Sequence, residues 1–280
     1  MKALELIDIG SQKLKLKKIS SFRLDSEVLL SKVLKKTREN ILINLHQKVA
    51  SDKITKFKEY INRRALNEPV AYITNEKEFW SKNFYVNSKT LIPRPETELI
   101  VDKLIRLYEK KSINILDIGT GSGCILISLL SELKNSKGTG IDISNGAIKV
   151  AKKNAKSLKV SNRSKFYFYS LERFFPNKYD LVVSNPPYIK SKEIKKLQKD
   201  IWQYEPKIAL DGGNDGLDLI KKVIYKSREI LKINGRLALE IGQQQLIKVS
   251  KILRDNNFRT EYYINDYKNN TRSVISVLMQ

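Results

Sequence analysis

From residue 113 onward the chain alternates short apolar, strand-like runs with longer segments of helical spacing, and few folds accommodate that order. INILDIG is followed by CILISLLSEL, GTGIDI by GAIKVAKKNAKSL, KFYFYS by a turn, and YDLVVSN by a Pro-Pro-Tyr sequence. LDLIKKVIYKSREIL then leads into GRLALEIG and QQLIKVSKILRDNN. Strands separated by helices pair in parallel through right-handed crossovers, so a mainly parallel sheet covered by helices on both faces is expected. The last two runs, FRTEYYIND and TRSVISVLM, are separated by a short polar stretch and should pair antiparallel as a terminal hairpin.

Residues 1–75 read instead as helices without strand signals. Asp25 precedes SEVLLSKVLKK and Ser51 precedes DKITKFKEYINRRAL, each a cap-type residue ahead of apolar positions at helical spacing. Over 76–92, EKEFWSKNFYVNSKTLI turns aromatic and β-branched around a polar break, the pattern of a short connecting hairpin. PRPETELIVDKLIRLYEK follows, a proline-flanked helix start. The expected organisation is a small all-α N-terminal domain (1–75), a hairpin connector (76–92) and an α/β domain (93–280).

LDIGTGSGC places Gly119, Gly121 and Gly123 between the first strand of the alternating region and its helix, where glycines permit a tight turn and let a ligand approach the backbone. Asp142 ends the next strand, positioned to accept hydrogen bonds from both hydroxyls of a ribose. That order implies a nucleoside-bearing cofactor. A dinucleotide fingerprint wants its third glycine or alanine at position 124, where this chain has Cys124 after Gly123. G-x-G-x-G preceded by an acid, here Asp117, resembles the S-adenosyl-L-methionine loop of class I methyltransferases. The resemblance implies cofactor contacts from Asp117, Gly119, Thr120, Gly121, Ser122, Gly123 and Asp142, joined by Asn185, on a Rossmann-like sheet with an antiparallel C-terminal hairpin.

The fourth strand of the alternating region runs into SNPPYIK, where two prolines force the chain out of the sheet at Asn185. In the class I methyltransferases such a corner marks enzymes that methylate a planar nitrogen whose lone pair is delocalised. By that likeness Asn185, Pro186 and Tyr188 are the catalytic residues and, with Pro187, the substrate-binding ones. The Asn185 side-chain oxygen and the Pro186 carbonyl accept from the target amide, and Tyr188 packs on its plane. LIPRPETE (Leu91 to Glu98), NPPYI, YEPKIALDGGNDGLDLI (Tyr204 to Ile220) and LEIGQQQ (Leu239 to Gln245) together resemble the release-factor glutamine N5-methyltransferase family almost from end to end. That resemblance implies methylation of the glutamine in the Gly-Gly-Gln motif of class I peptide chain release factors, by a monomer whose helical domain recognises the substrate. Arg94–Thr97 then forms either a helix start or a cofactor lid, Glu205 and Asp211–Gly213 shape a substrate loop, and Gln245 caps a helix or faces solvent. The chain departs from the family at DYKNNTRSVI, which lacks the usual glycine before the final arginine, a change expected to touch only the hairpin. It departs again at YSLERF, where Leu171 replaces an acid and leaves the adenine-side register open.

Composition narrows the alternatives. With one cysteine, Cys124, and one histidine, His46, neither a disulfide nor a Cys/His metal site is available, so no metal is expected. The formal charge is +23, from 53 Lys and Arg against 30 Asp and Glu. It fits a polyanionic partner, and a DNA or RNA amino methyltransferase is the rival reading; the lysines are nonetheless spread over nearly every segment, as on a solvated surface. No target-recognition segment follows the corner, so nucleic acid is not expected as substrate. A non-catalytic binding module is a further alternative, opposed by the intact Gly119, Asp142 and Asn185. No apolar run reaches membrane-spanning length, and charges interrupt the apolar positions of MKALELIDIGSQKLKLKK, so a cytoplasmic protein with no membrane partner is expected.

Overall fold

The computed structural model describes residues 1–173 and 178–280, which divide into two units. Unit 1 comprises Met1–Glu76 together with Gln198–Tyr204. It holds α1 (Ala3–Leu16), α2 (Phe22–Leu34), α3 (Arg38–Ile43), α4 (Ser51–Ala65) and α5 (Val70–Thr74). Leu6, Ile7 and Leu14 recur on one face of α1, and Leu29, Leu30 and Val33 on α2; they meet Phe57 and Ile61 of α4 in a single core. Asp25 is not a cap. It lies one turn inside α2, buried, where it accepts from Arg64 Nε at 2.7 Å and from Ser21 Oγ at 2.8 Å, because the helix begins ahead of it at Phe22. Ser51 is the first residue of α4, with Ala50 at the cap position.

Unit 2 comprises Lys77–Leu197 and Glu205–Gln280. The expected hairpin is present as β1 (Glu76–Phe79) and β2 (Lys82–Tyr85). After α6 (Glu98–Tyr108) the alternation follows as β3 (Asn114–Ile118), α7 (Cys124–Glu132), β4 (Lys137–Asp142), α8 (Asn145–Ser157), β5 (Ser164–Phe168) and β6 (Tyr179–Ser184). A short helix of unit 1, α9 (Lys199–Tyr204), precedes α10 (Asp218–Ile230), β7 (Leu231–Glu240), α11 (Leu246–Asp255), β8 (Phe258–Asn265) and β9 (Thr271–Leu278). The sheet is seven-stranded in the order β5-β4-β3-β6-β7-β9-β8, with β9 antiparallel to both neighbours and the other pairings parallel.

Both faces of this sheet are covered, which explains the continuous apolar runs. Ile115, Leu181, Val183 and Ala238 point into a core shared with α6, α7 and α8. Their alternates Leu116, Val182, Leu237 and Leu239 point into a second core with α10 and α11. Chain direction across the sheet reverses beside β3, which has β4 on one side and β6 on the other. Loops diverge there at the carboxyl ends of the strands and leave a crevice.

Candidate active site

The turn between β3 and α7 forms the floor of a cavity in that crevice. Gly119, Gly121 and Gly123 all adopt positive φ, at 71°, 56° and 80°, a conformation that side-chain-bearing residues rarely take. Their surroundings differ. A Cβ added to Gly119 would meet nothing within 4 Å, and one on Gly121 only the Gly119 carbonyl at 3.9 Å, so this backbone faces open space. A Cβ on Gly123 would meet Ile127 at 2.7 Å and Ala151 at 3.3 Å. Gly119, Thr120, Gly121 and Ser122 line the cavity, whereas Gly123 closes the packing of α7 against α8.

Two carboxylates serve this turn. Asp142, at the end of β4, accepts from Gly121 N at 2.9 Å on Oδ2 and from Ser144 N at 2.8 Å on Oδ1, and it lines the cavity. Those amides hold the carboxylate still and leave each oxygen a free lone pair. Burial raises the Asp142 pKa, and the amides oppose the shift. Asp117 is 1% exposed; its Oδ2 accepts from Thr120 Oγ1 at 2.6 Å, while Oδ1 has no hydrogen-bond partner. Desolvation foremost, with the nearby Asp142 charge, pushes Asp117 up to about 7. An orphaned buried carboxylate oxygen calls for a donor. Open space over Gly119 and Gly121, a fixed carboxylate at Asp142 and apolar walls from Ile118, Ile141, Ile143 and Leu171 fit an amino acid joined to a nucleoside. Cys124 opens α7 beside them; desolvation pushes its thiol up to about 12, which keeps it protonated. His46 is exposed in unit 1, and no group of metal-ligating side chains occurs among the described residues.

At the end of β6, Asn185 and Pro187 line the same cavity; Pro186 and Tyr188 do not. Asn185 Nδ2 donates to Thr97 Oγ1 at 3.3 Å, and Thr97 Oγ1 donates to Glu240 Oε2 at 2.6 Å. The Tyr188 hydroxyl turns inward, donating to Glu240 Oε1 at 3.2 Å and accepting from an Arg272 terminal nitrogen at 3.1 Å. Burial raises the pKa of Glu240, which is 1% exposed, and pushes the Tyr188 phenol up as well.

Neighbouring loops lock the corner from outside. Gln245 is buried, neither a solvent-facing residue nor one whose side chain caps its helix: Nε2 donates to the carbonyls of Tyr188 and Gly216, both at 3.1 Å, and Oε1 accepts from Gly242 N at 2.8 Å. Gly212 sits where a Cβ would meet Pro187 O at 2.8 Å, and its amide donates to Ile189 O at 2.8 Å. Lys89, Thr90, Leu91, Pro93, Arg94 and Thr97 supply one cavity wall, and Pro206, Ile208 and Ala209 another. The buried Glu205 ties these walls together, accepting from Ile92 N at 3.0 Å and from the Arg94 guanidinium.

Thr97, Glu240 and Arg272 lie in LIPRPETE, LEIGQQQ and DYKNNTRSVI, but a motif-by-motif reading does not join them into one network. Thr271, which stands before the final arginine, bonds within the hairpin, its hydroxyl donating to Asn265 Oδ1 at 2.9 Å, whereas Arg272 reaches further. β9 lies beside β7, pairing Ser273 with Glu240, and this carries the adjacent Arg272 to Tyr188. Leu171 and Glu172 both line the cavity, and Lys222 with Ser170 holds Glu172 down at about 2.

Residues 5–74 match the PrmC N-terminal domain and residues 109–272 a methyltransferase domain. The release factor glutamine methyltransferase of Buchnera aphidicola subsp. Schizaphis graminum is 41% identical over 250 residues, covering 89% of this chain and 90% of its own. The bifunctional methyltransferase of Rickettsia prowazekii is 38% identical over 271 residues, which span 90% of this chain but 52% of that protein, about half its length. Among solved structures, a methyltransferase from Pyrococcus furiosus superposes with a TM-score of 0.55 at 15% identity, over 82% of this chain and 100% of that one, a likeness of fold.

Proposed function

The chain belongs to the release factor glutamine methyltransferase family, and from that premise we propose that it methylates the side-chain amide nitrogen (N5) of the glutamine in the Gly-Gly-Gln motif of class I peptide chain release factors, with S-adenosyl-L-methionine as methyl donor. One observation carries the reading: the glycine turn with Asp142 and the corner residues Asn185 and Pro187 line a single cavity. A donor held on the first thus faces an acceptor held on the second.

S-adenosylmethionine supplies a methyl group on a sulfonium sulfur, a carbon open to in-line displacement. Asp142 would hold its ribose hydroxyls, the Gly119–Ser122 backbone would accommodate its amino-acid part, and the unpartnered Asp117 Oδ1 would take its ammonium. An amide nitrogen is a poor nucleophile because its lone pair is delocalised into the carbonyl. Asn185 Oδ1 and the Pro186 carbonyl each accept one N–H of the acceptor amide and so turn the lone pair toward the line of attack. As the nitrogen gains its fourth substituent and positive charge, both acceptors bind it more tightly than in the ground state. Its extra proton leaves to water after transfer, so no strong base is needed at the corner. Tyr188 acts on the acceptor through the shape of the corner, which its hydroxyl anchors at Glu240. The helical unit, within which α9 is included, grips the folded release factor away from its glutamine loop.

Labelled S-adenosylmethionine incubated in parallel with purified release factor, duplex DNA and RNA tests the reading. Label is expected in the release factor at its Gly-Gly-Gln glutamine. Label in nucleic acid alone would replace the proposal with the amino methyltransferase reading.

A further inference from the structure

A carboxamide has two faces, and only one of them suits the task assigned to Asn185. If Nδ2 faced the cavity, it would meet the N–H bonds of the acceptor amide donor to donor. The side chain must therefore be held with its nitrogen away from the cavity, and rotation by 180° about the last bond costs little unless a partner distinguishes oxygen from nitrogen.

The partner is Thr97, and its own state is set one step further in. A hydroxyl both donates and accepts, so Thr97 alone would accommodate either orientation of Asn185. Glu240 removes that freedom. In its ionised form, which burial opposes but the Thr97 and Tyr188 hydroxyls and the Arg272 charge favour, it only accepts, and its two oxygens each face one hydroxyl, Thr97 at 2.6 Å and Tyr188 at 3.2 Å. Both protons are committed inward. The Thr97 oxygen is then an acceptor toward Asn185, which meets it with Nδ2 at 3.3 Å, and the Tyr188 oxygen is an acceptor toward Arg272, which meets it at 3.1 Å. A flipped Asn185 would set Oδ1 against an oxygen with no proton left to give. The Arg272 guanidinium, one hydroxyl away, compensates the buried charge of Glu240.

We propose that Glu240, acting through Thr97, is a positioning residue that holds the Asn185 carboxamide with Oδ1 toward the acceptor amide, while the other oxygen of the same carboxylate anchors Tyr188. Neither Glu240 nor Thr97 touches the reacting atoms in this arrangement. The inference rests on the reading of Asn185 as the group that orients the acceptor nitrogen. It differs from a packing role for Glu240, because packing is satisfied by any side chain of equal volume and polarity-switching is not.

The test compares Thr97→Val, Thr97→Ser and Glu240→Gln in the full chain. Valine keeps the volume and removes the hydroxyl; serine keeps the hydroxyl. Glutamine keeps the shape of Glu240 but offers Nε2 donors of its own, so the Thr97 proton is released toward Asn185. Single-turnover methylation of release factor at saturating donor should fall on the order of tenfold in Thr97→Val and Glu240→Gln, the scale of one neutral hydrogen bond. Thr97→Ser should restore most of the parental rate. In Glu240→Gln the apparent Kd for S-adenosylmethionine and the KM for release factor should stay within about twofold, since Glu240 is buried and does not line the cavity. A second readout needs no substrate: the side-chain amide of Asn185, followed by 15N NMR, should be a rigid, resolved pair in the parent and in Thr97→Ser and become mobile in Thr97→Val. Parental rates in a folded Thr97→Val or Glu240→Gln, with a rigid Asn185 amide, would overturn the proposal. An equal loss in the Thr97→Ser variant would also overturn it, by assigning the site a purely steric role. Should the parent leave release factor unlabelled, the functional reading fails by itself, and the Asn185 amide signals still decide whether the network orients the side chain.

Discussion

Asn185 is expected to act on the chemical step, because the bond it accepts strengthens as positive charge grows on the acceptor nitrogen. Asn185→Ala should slow single-turnover methylation by about a hundredfold, the scale of losing one preorganised polar group, and leave donor affinity unchanged. Asp142 works on binding. Its removal takes away ribose hydrogen bonds worth roughly 1.5 to 3 kcal/mol each when charge-assisted, and it frees the Gly121 amide that the carboxylate now holds. Calorimetry on Asp142→Ala should therefore show weakened S-adenosylmethionine binding in a protein with parental circular dichroism. Asp117 adds a pH dependence whose sign follows from burial. A carboxyl raised from 3.8 to about 7 keeps a proton in the free folded protein that the unfolded chain has already lost, so this group makes stability decline as pH rises from about 4 to about 7. A cationic ammonium favours the ionised form, so donor affinity should increase with pH through that same range and level off above 7. Calorimetric titrations across pH 5.5 to 8 would check this, with the slope removed in Asp117→Asn.

Two glycines two residues apart in one turn serve different elements. Gly123 meets Ile127 and Ala151 across the α7–α8 contact, so Gly123→Ala adds a clash to an unfavourable positive φ. Gly121 faces open space, so Gly121→Ala carries only the backbone strain, about 1 kcal/mol. Chemical denaturation should rank Gly123→Ala well below Gly121→Ala, while donor affinity should fall more per unit of lost stability in Gly121→Ala. The segment linking β7 to α11 is a clamp on the corner through Gln245. Gln245→Ala would strand a buried amide and two carbonyls, a loss of about 1 to 3 kcal/mol for each group left unsatisfied, and should lower both the denaturation midpoint and the rate. That Gln245 is a clamp is invisible along the chain, since the two carbonyls it holds lie on separate segments, at Tyr188 and Gly216.

Over the whole molecule the charge of +23 is distributed with the lysines and predicts faster encounter with an acidic partner. With release factor as substrate, kcat/KM should drop as salt rises from about 50 to 200 mM, whereas kcat should hold; a salt-independent kcat/KM would assign the charge to composition alone. Local sequence was sufficient for the α/β alternation, the helical N-terminal segment, both hairpins, the glycine turn and the proline corner. Each of these is dictated by short-range physics: period-two or helical spacing of apolar residues, glycine at positive φ, proline without an N–H. Asp25 shows the limit of that reading, since a cap-type residue served as the buried partner of Arg64, 39 positions away. What only the tertiary structure decided are the pairings across distant segments. Insertion of β9 between β7 and β8 brings Arg272 to Tyr188, the 3-10 turn Pro95–Thr97 ahead of α6 delivers Thr97 to Glu240 across 143 positions, and Glu205 reaches back to Arg94 across 111. A buried carboxylate selects its partners by which hydroxyls and guanidinium the fold places within hydrogen-bond reach, and no spacing along the chain encodes that distance.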